Sequence, residues 1–225
     1  MQTADMPDHK TPPAPVTDQE RQRLAEQLRF APETGHILLF DQRMLLMHGF
    51  SLAAMRRELI ERTGHDTARG MFTRLGYQQG LEDRRRLSDA FDDEVETAVR
   101  LGPRLRDIQG YVRTAIQHFH MNPARGEFYG EFTWRNSWEA EAHLRHFGRS
   151  GKPVCWMNTG YASAFGTSAF GKPVLARETH CIGMGHAECR IVMQQIDSLP
   201  ADADDDLRFL QVEDFVDLPL SLIHI

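Results

Sequence analysis

The sequence predicts an α+β domain, an antiparallel sheet surrounded by helices, with a small cysteine-rich lobe. Three observations carry that expectation. Apolar residues recur at helical spacing through the first third of the chain; an aromatic run of period two spans the stretch up to Trp134; and all three cysteines fall between positions 155 and 189.

Residues 1–16, polar and rich in proline, read as a disordered tail. Thr17 and Glu20 form a capping-box pattern ahead of a helix in which Leu24 and Leu28 share a face. The turn Glu33-Thr34-Gly35 leads into a short strand, His36 to Phe40. Ser51 is expected to cap a second helix with Leu52, Met55 and Leu59 inward. Asp66 is expected to cap a third, carrying Phe72 and Leu75 and ending near Gly80. The charged stretch from Arg84 to Glu96 reads as surface, with Asp92, Asp93 and Glu94 favoured at a helix start.

The middle turns to strand. Tyr111 to Phe119 is rich in β-branched and aromatic residues, and Asn122 to Gly126 is a turn signal. In the returning strand Phe128, Gly130, Phe132 and Trp134 share one face, which is expected to be buried. Helices at Trp138–Phe147 and Cys155–Phe165 follow, and strands near Pro173–Glu178 and Arg190–Gln194 bracket a cysteine loop. Ala201 to Asp206 is an acidic linker, Leu207 to Val216 an amphipathic helix, and the abrupt apolar ending Leu218–Ile225 reads as a truncation.

Composition bounds the function. A net charge of −6 argues against a nucleic-acid surface over the whole molecule, and no apolar run approaches the roughly 18 residues of a membrane span. No secretory signal precedes Pro15, so clustered cysteines fit a reducing cytoplasm better than disulfides. GxSxG, P-loop, GxGxxG and HExxH patterns are missing, and His118 and His120 lack an obvious carboxylate partner, so the chain is expected not to be an enzyme.

Cys155, Glu178, Cys181 and Cys189 are the sharpest site candidate: a closed set of thiolates and one carboxylate suits a structural zinc-binding lobe with no open position for substrate. Three buried thiols without a metal, or His180 or His186 in place of Glu178, are alternatives on spacing. Lys152, Arg177 and Arg190 lie near enough in sequence to offset the excess negative charge.

A family resemblance rests on motifs that run in order: Phe40 to Leu46, Arg56-Arg57-Glu58, Leu75 to Gly80, Leu101 to Leu105, Pro153 to Trp156, Gly160-Tyr161-Ala162 and Glu178 to Cys181. Over residues 20–195 the chain resembles the N-terminal sensors, including a 4-vinyl-reductase-type domain, of XylR/DmpR-type activators. These are phenol- and toluene-responsive regulators of the NtrC class. The resemblance implies a sensor at 17–197 and an acidic linker and relay helix at 198–225. It also implies zinc on Cys155, Glu178, Cys181 and Cys189, and a buried pocket for an aromatic effector. The family's pocket tryptophan matches Trp134, while its pocket histidine falls on Arg106. Val99, Phe132, Tyr161, Phe165 and Ala176 complete the expected pocket.

Arg106 either grips an anionic effector as a fork or turns outward and leaves an apolar chamber. The implied partners are a second copy of the chain and, in a longer protein, an AAA+ ATPase, sigma-54 RNA polymerase and DNA. A stand-alone zinc-containing small-molecule-binding accessory protein and a zinc hydrolase are the rival readings.

Overall fold

The computed structural model describes residues 14–91, 95–199 and 204–210; the sequence expectations for the N-terminal tail, for Asp92 to Glu94 and for residues beyond 210 lie outside them. Helix α1 (Asp18–Ala25) starts with the predicted capping box: the Glu20 amide donates to Thr17 Oγ1 at 3.2 Å and the Thr17 amide to Glu20 Oε2 at 2.7 Å. The same carboxylate accepts both arms of Arg100, at 2.6 and 3.0 Å, which ties α1 to helix α4 (Val95–Ile108). Arg100 thereby lowers the Glu20 pKa from 4.5 to about 2. Stabilisation from this carboxylate is complete above pH 4.5 and is lost as pH falls through about 2. Thermal unfolding of wild type and Glu20→Gln should therefore show a stability gap near neutrality that closes on acidification; a gap independent of pH would contradict the assignment.

A three-stranded antiparallel sheet follows: β1 (Leu28–Ala31), β2 (His36–Leu39) and β3 (Gln42–Met44). Phe40 is not in the strand but, with Asp41, forms a two-residue turn in which both φ angles are positive. Burial of its ring beside Leu24 and Leu39 accounts for an aromatic residue in that strained position.

Helix α2 (Gly49–Thr63) is preceded by His48 rather than capped by Ser51, and it buries Ala53, Arg56 and Ile60. Met55 is 58% exposed, so the inward stripe is rotated around the helix from the expected one. The rotation is explained by Arg56, whose guanidinium enters the core against Glu139 at 3.0 Å with both side chains buried. Helix α3 (His65–Ala90) follows Gly64 and runs 26 residues straight through Gly80. Leu75 is 52% exposed, whereas Arg84 and Leu87, expected on the surface, are buried.

The second sheet has the order β4-β5-β7-β6, antiparallel throughout: β4 (Arg113–Asn122), β5 (Glu127–Arg135), β6 (Val174–His180) and β7 (Cys189–Gln195). Strand β5 alternates as predicted, with Phe128, Gly130, Phe132 and Trp134 buried. His120 does find a carboxylate: its Nε2 lies 3.0 Å from Glu127 Oε2 across the β4–β5 hairpin, a partner supplied by strand pairing. Helix α5 (Trp138–Phe147) matches its expected span, and α6 (Trp156–Phe170) extends five residues past Phe165. Helix α6 packs between the second sheet and α3, where Gly76, Gly80 and Gly160 let the two backbones touch. A short helix α7 (Asp204–Leu207) ends the described chain; Asp206 pairs with Arg69 of α3 and, at 3.1 Å, with Arg177 of β6. Among the described residues no helix is long and apolar enough to cross a membrane.

Candidate functional site: an apolar chamber beside a cysteine cluster

Helix α4, the inner face of the second sheet and helix α6 enclose a cavity of about 70 Å3. Six of the seven expected pocket residues line it: Val99 and Arg106 from α4, Phe132 and Trp134 from β5, Tyr161 and Phe165 from α6. Ala176 does not. It sits on β6 and faces a separate hollow of about 20 Å3 near Arg69 and Asp206. Its β7 partner Met193, one strand closer to β5, reaches the chamber instead. Other lining residues escaped the sequence reading, among them Gly102, Asn158, Gly166 and Ile191. Ile191 could have been found from the alternation of β7, in which Cys189, Ile191 and Met193 are buried.

The wall is nearly all hydrocarbon, and Arg106 does not alter that. Its side chain is neither exposed nor an open fork. Nη1 donates to Gln79 Oε1 at 3.2 Å and to Gln109 Oε1 at 2.9 Å, and Nη2 donates to Asn158 Oδ1 at 2.6 Å. The guanidinium lies between the rings of Tyr111 and Tyr161, 3.8 and 4.1 Å from their centroids. Gln109 passes a second bond to Asp83 at 2.7 Å, which places a carboxylate behind the arginine. Burial lowers the Arg106 pKa and raises that of Asp83. Burial first, and the Asp83 charge second, push the Tyr161 hydroxyl well up, so it stays protonated. The buried Trp134 indole N–H has no hydrogen-bond partner among the described residues.

Below the chamber lies the cysteine cluster. Cys155 precedes the first turn of α6, Glu178 is on β6, Cys181 follows that strand and Cys189 opens β7. All four residues are buried, and their ligand atoms lie within 4.8 Å of one another. Cys155 and Cys189 Sγ are 3.9 Å apart, close to the ~3.8 Å edge of a tetrahedron with metal–sulfur bonds of ~2.3 Å. The three cysteines are free. Glu178 Oε2 accepts the Cys155 amide at 3.0 Å, while Oε1 is buried without a partner. An unpaired carboxylate oxygen facing three thiols is the donor set a metal ion satisfies, so these residues can hold one.

The expected counter-charges go elsewhere: Arg177 binds Asp206, and Arg190 lies 3.7 Å from Glu188. Backbone amides serve instead, Gly183 to Cys181 Sγ at 3.3 Å and Ile182 to Cys189 Sγ at 3.4 Å. The thiols of Cys155 and Cys189 favour the Cys181 thiolate and lower its pKa, whereas burial raises Cys155 and Glu178. His186 Nδ1 accepts the Cys181 amide at 3.1 Å, and neither His180 nor His186 joins the four ligand atoms.

Two connections couple cluster to chamber. Trp134 is the direct strand partner of Cys189. Glu139, held by Arg56, accepts the amides of Met157 and Asn158 at 2.9 Å each and so seats the start of α6, from which Asn158 reaches Arg106.

The architecture is that of an α+β domain built around an apolar chamber with a metal-ligand cluster at its base. Residues 23–122 match the family model XylR_N, described as activator of aromatic catabolism, and residues 134–195 match the model of the 4-vinyl-reductase-type domain. The chain is 33% identical over 202 residues to the phenol regulator MopR of Acinetobacter guillouiae, covering 89% of this chain and 36% of the relative. It is 38% identical over 178 residues to the transcriptional regulatory protein XylR of Pseudomonas putida, covering 77% of this chain and 31% of that protein. The chain thus spans about a third of the length of these curated relatives. A crystal structure of the phenol-responsive sensory domain of the transcription activator PoxR with phenol superposes with a TM-score of 0.80 at 36% identity, covering 86% of this chain and 96% of that one. The chain belongs to the XylR-type family of transcription activators and corresponds to its sensory region.

Proposed function

We propose that this chain is the effector-sensing part of a sigma-54-dependent activator and that its effector is a small, neutral, single-ring aromatic compound held in the chamber. The carrying observation is the state of Arg106. Its terminal nitrogens are occupied by three amide oxygens, so the fork that would grip a carboxylate is already filled. A closed apolar wall with one free indole N–H fits a ring bearing at most a weakly polar group. Size agrees: apolar cavities of roughly 150 Å3 hold benzene, so a chamber of about 70 Å3 admits one ring with modest side-chain movement.

Cys155, Glu178, Cys181 and Cys189 would hold zinc as a structural cross-link between α6 and the β6–β7 hairpin. With all four positions taken by protein, the ion has a scaffolding role. In a longer protein the sensor would restrain an AAA+ ATPase until effector binding favours the permissive arrangement. Asp206, clasped by Arg177 one residue before Glu178, offers a physical link from the cluster toward whatever follows. Relatives named as whole regulators about three times as long favour this reading over a stand-alone accessory protein. Homodimerisation and a cytoplasmic setting belong to the same proposal.

The test is a thermal-shift panel of toluene, phenol and benzoate on the metal-loaded protein. A ligand at 100 times its Kd adds about 2.7 kcal/mol, or roughly 5–10 °C for a domain of this size. Toluene and phenol should raise the Tm while benzoate leaves it unchanged. A preference for benzoate that disappears in Arg106→Ala would overturn the neutral-effector reading.

A further inference from the structure

We propose that Gly102 of α4 and Phe165 of α6 form a size filter that sets the largest guest the chamber accepts. The inference rests on the sensor reading and adds the residue pair that determines its selectivity. Both residues line the chamber. A methyl group at position 102 would lie 2.5 Å from Phe165 Cζ, 2.8 Å from Cε1 and 3.0 Å from Cε2, closer than carbon atoms approach without displacement.

Gly102 sits inside a helix and its φ is not positive, so the backbone conformation does not call for glycine. Glycine is also a poorer helix former than alanine at such a position. What it provides is space for the tip of the Phe165 ring. That ring is stacked on Tyr161 at a centroid distance of 6.0 Å and an interplanar angle of 24°, and it is buried. Close-packed protein surrounds it except on the chamber side, so a side chain at 102 would drive the ring into the guest volume.

The neighbouring Gly166 repeats the arrangement. A methyl group there would come within 2.7 Å of Cε of Met193, another lining side chain. Two adjacent wall side chains are thus held back from the cavity by the absence of a Cβ opposite them. The filter acts on the width of the guest, independently of the polar contacts around Arg106.

The experiment compares wild type, Gly102→Ala, Phe165→Leu and the double variant. Each is titrated with xenon (by 129Xe NMR) and with benzene and ethylbenzene (by calorimetry). Gly102→Ala is expected to weaken ethylbenzene binding at least tenfold more than xenon binding. Phe165→Leu is expected to tighten ethylbenzene, and the double variant to recover wild-type selectivity. If Gly102→Ala does not fold, Phe165→Leu alone must still shift the preference toward ethylbenzene. Unchanged selectivity in both single variants, or a loss in Gly102→Ala that Phe165→Leu does not restore, would overturn the filter. If wild type takes xenon but no aromatic ring, the sensor reading fails; the filter then stands or falls on whether Gly102→Ala lowers xenon occupancy and the double variant restores it.

Discussion

Cys189→Ser is expected to abolish metal binding and to lower the stability of the whole domain by several kcal/mol. Native protein should carry one zinc per chain by mass spectrometry, and the variant none. The size of the effect follows from where the ligands sit. The cluster joins the first turn of α6 to both strands of the β6–β7 hairpin, and those elements supply much of the chamber wall. Structural zinc contributes about 10–16 kcal/mol of apparent binding free energy in small peptides at neutral pH. Here a hydrophobic core that includes Val154, Phe170 and Ile191 also surrounds the cluster, so part of the fold survives without metal. A loss of roughly 5 kcal/mol corresponds to a Tm lower by about 10–20 °C. Chelation of wild type should reproduce the shift, and readdition of zinc should reverse it. Because Trp134 pairs with Cys189 in the sheet, ligand-induced stabilisation should be lost with the metal. Metal-free protein with an unchanged Tm would refute a structural ion here.

How legible the molecule was in its sequence depended on whether the signal was local. The alternation of β5 and the Thr17–Glu20 capping box are encoded within a few residues, and both appear as read. The four candidate ligands could be singled out because thiol chemistry is specific and the cysteines are few; the fold brings them together. Six chamber residues were reachable through the family resemblance, while Ala176 was not, because its fate depends on strand order. The inward face of α2 was hidden by Arg56. A pattern of apolar residues cannot reveal that the core accepts a guanidinium when Glu139 and the Val154 carbonyl wait 83 and 98 positions away. Arg106 is the same lesson inside the site: Gln79, Gln109 and Asn158 come from three different stretches of chain, and only their convergence shows that the charge is already solvated. Gly80 was ambiguous by nature. Glycine marks either a helix end or a close approach, and here it is the second.

That close approach sets the other large expected effect. Gly76→Ala and Gly160→Ala should each destabilise the domain by about 3 kcal/mol or more, at the upper end of what overpacking costs. The added Cβ would lie 1.9 Å from the Met157 carbonyl oxygen at position 76 and 2.0 Å from that of Thr73 at position 160. Both obstacles are backbone atoms of the opposing helix, so no rotamer change relieves them; α3 and α6 must separate. In an unobstructed helix the same substitution stabilises by roughly 0.5–1 kcal/mol, so the sign of the effect is diagnostic. Gly49, where an added methyl group would meet nothing within 4 Å, supplies the control: Gly49→Ala should be neutral or slightly stabilising. Separation also moves Asn158, Tyr161 and Phe165, which α6 presents to the chamber, so any folded fraction of Gly160→Ala should bind toluene more weakly than wild type. Urea unfolding measures the first effect as a lower midpoint at unchanged slope. A midpoint for Gly76→Ala within error of wild type would show that the helices can part at no cost, and the chamber wall would then be softer than this packing allows.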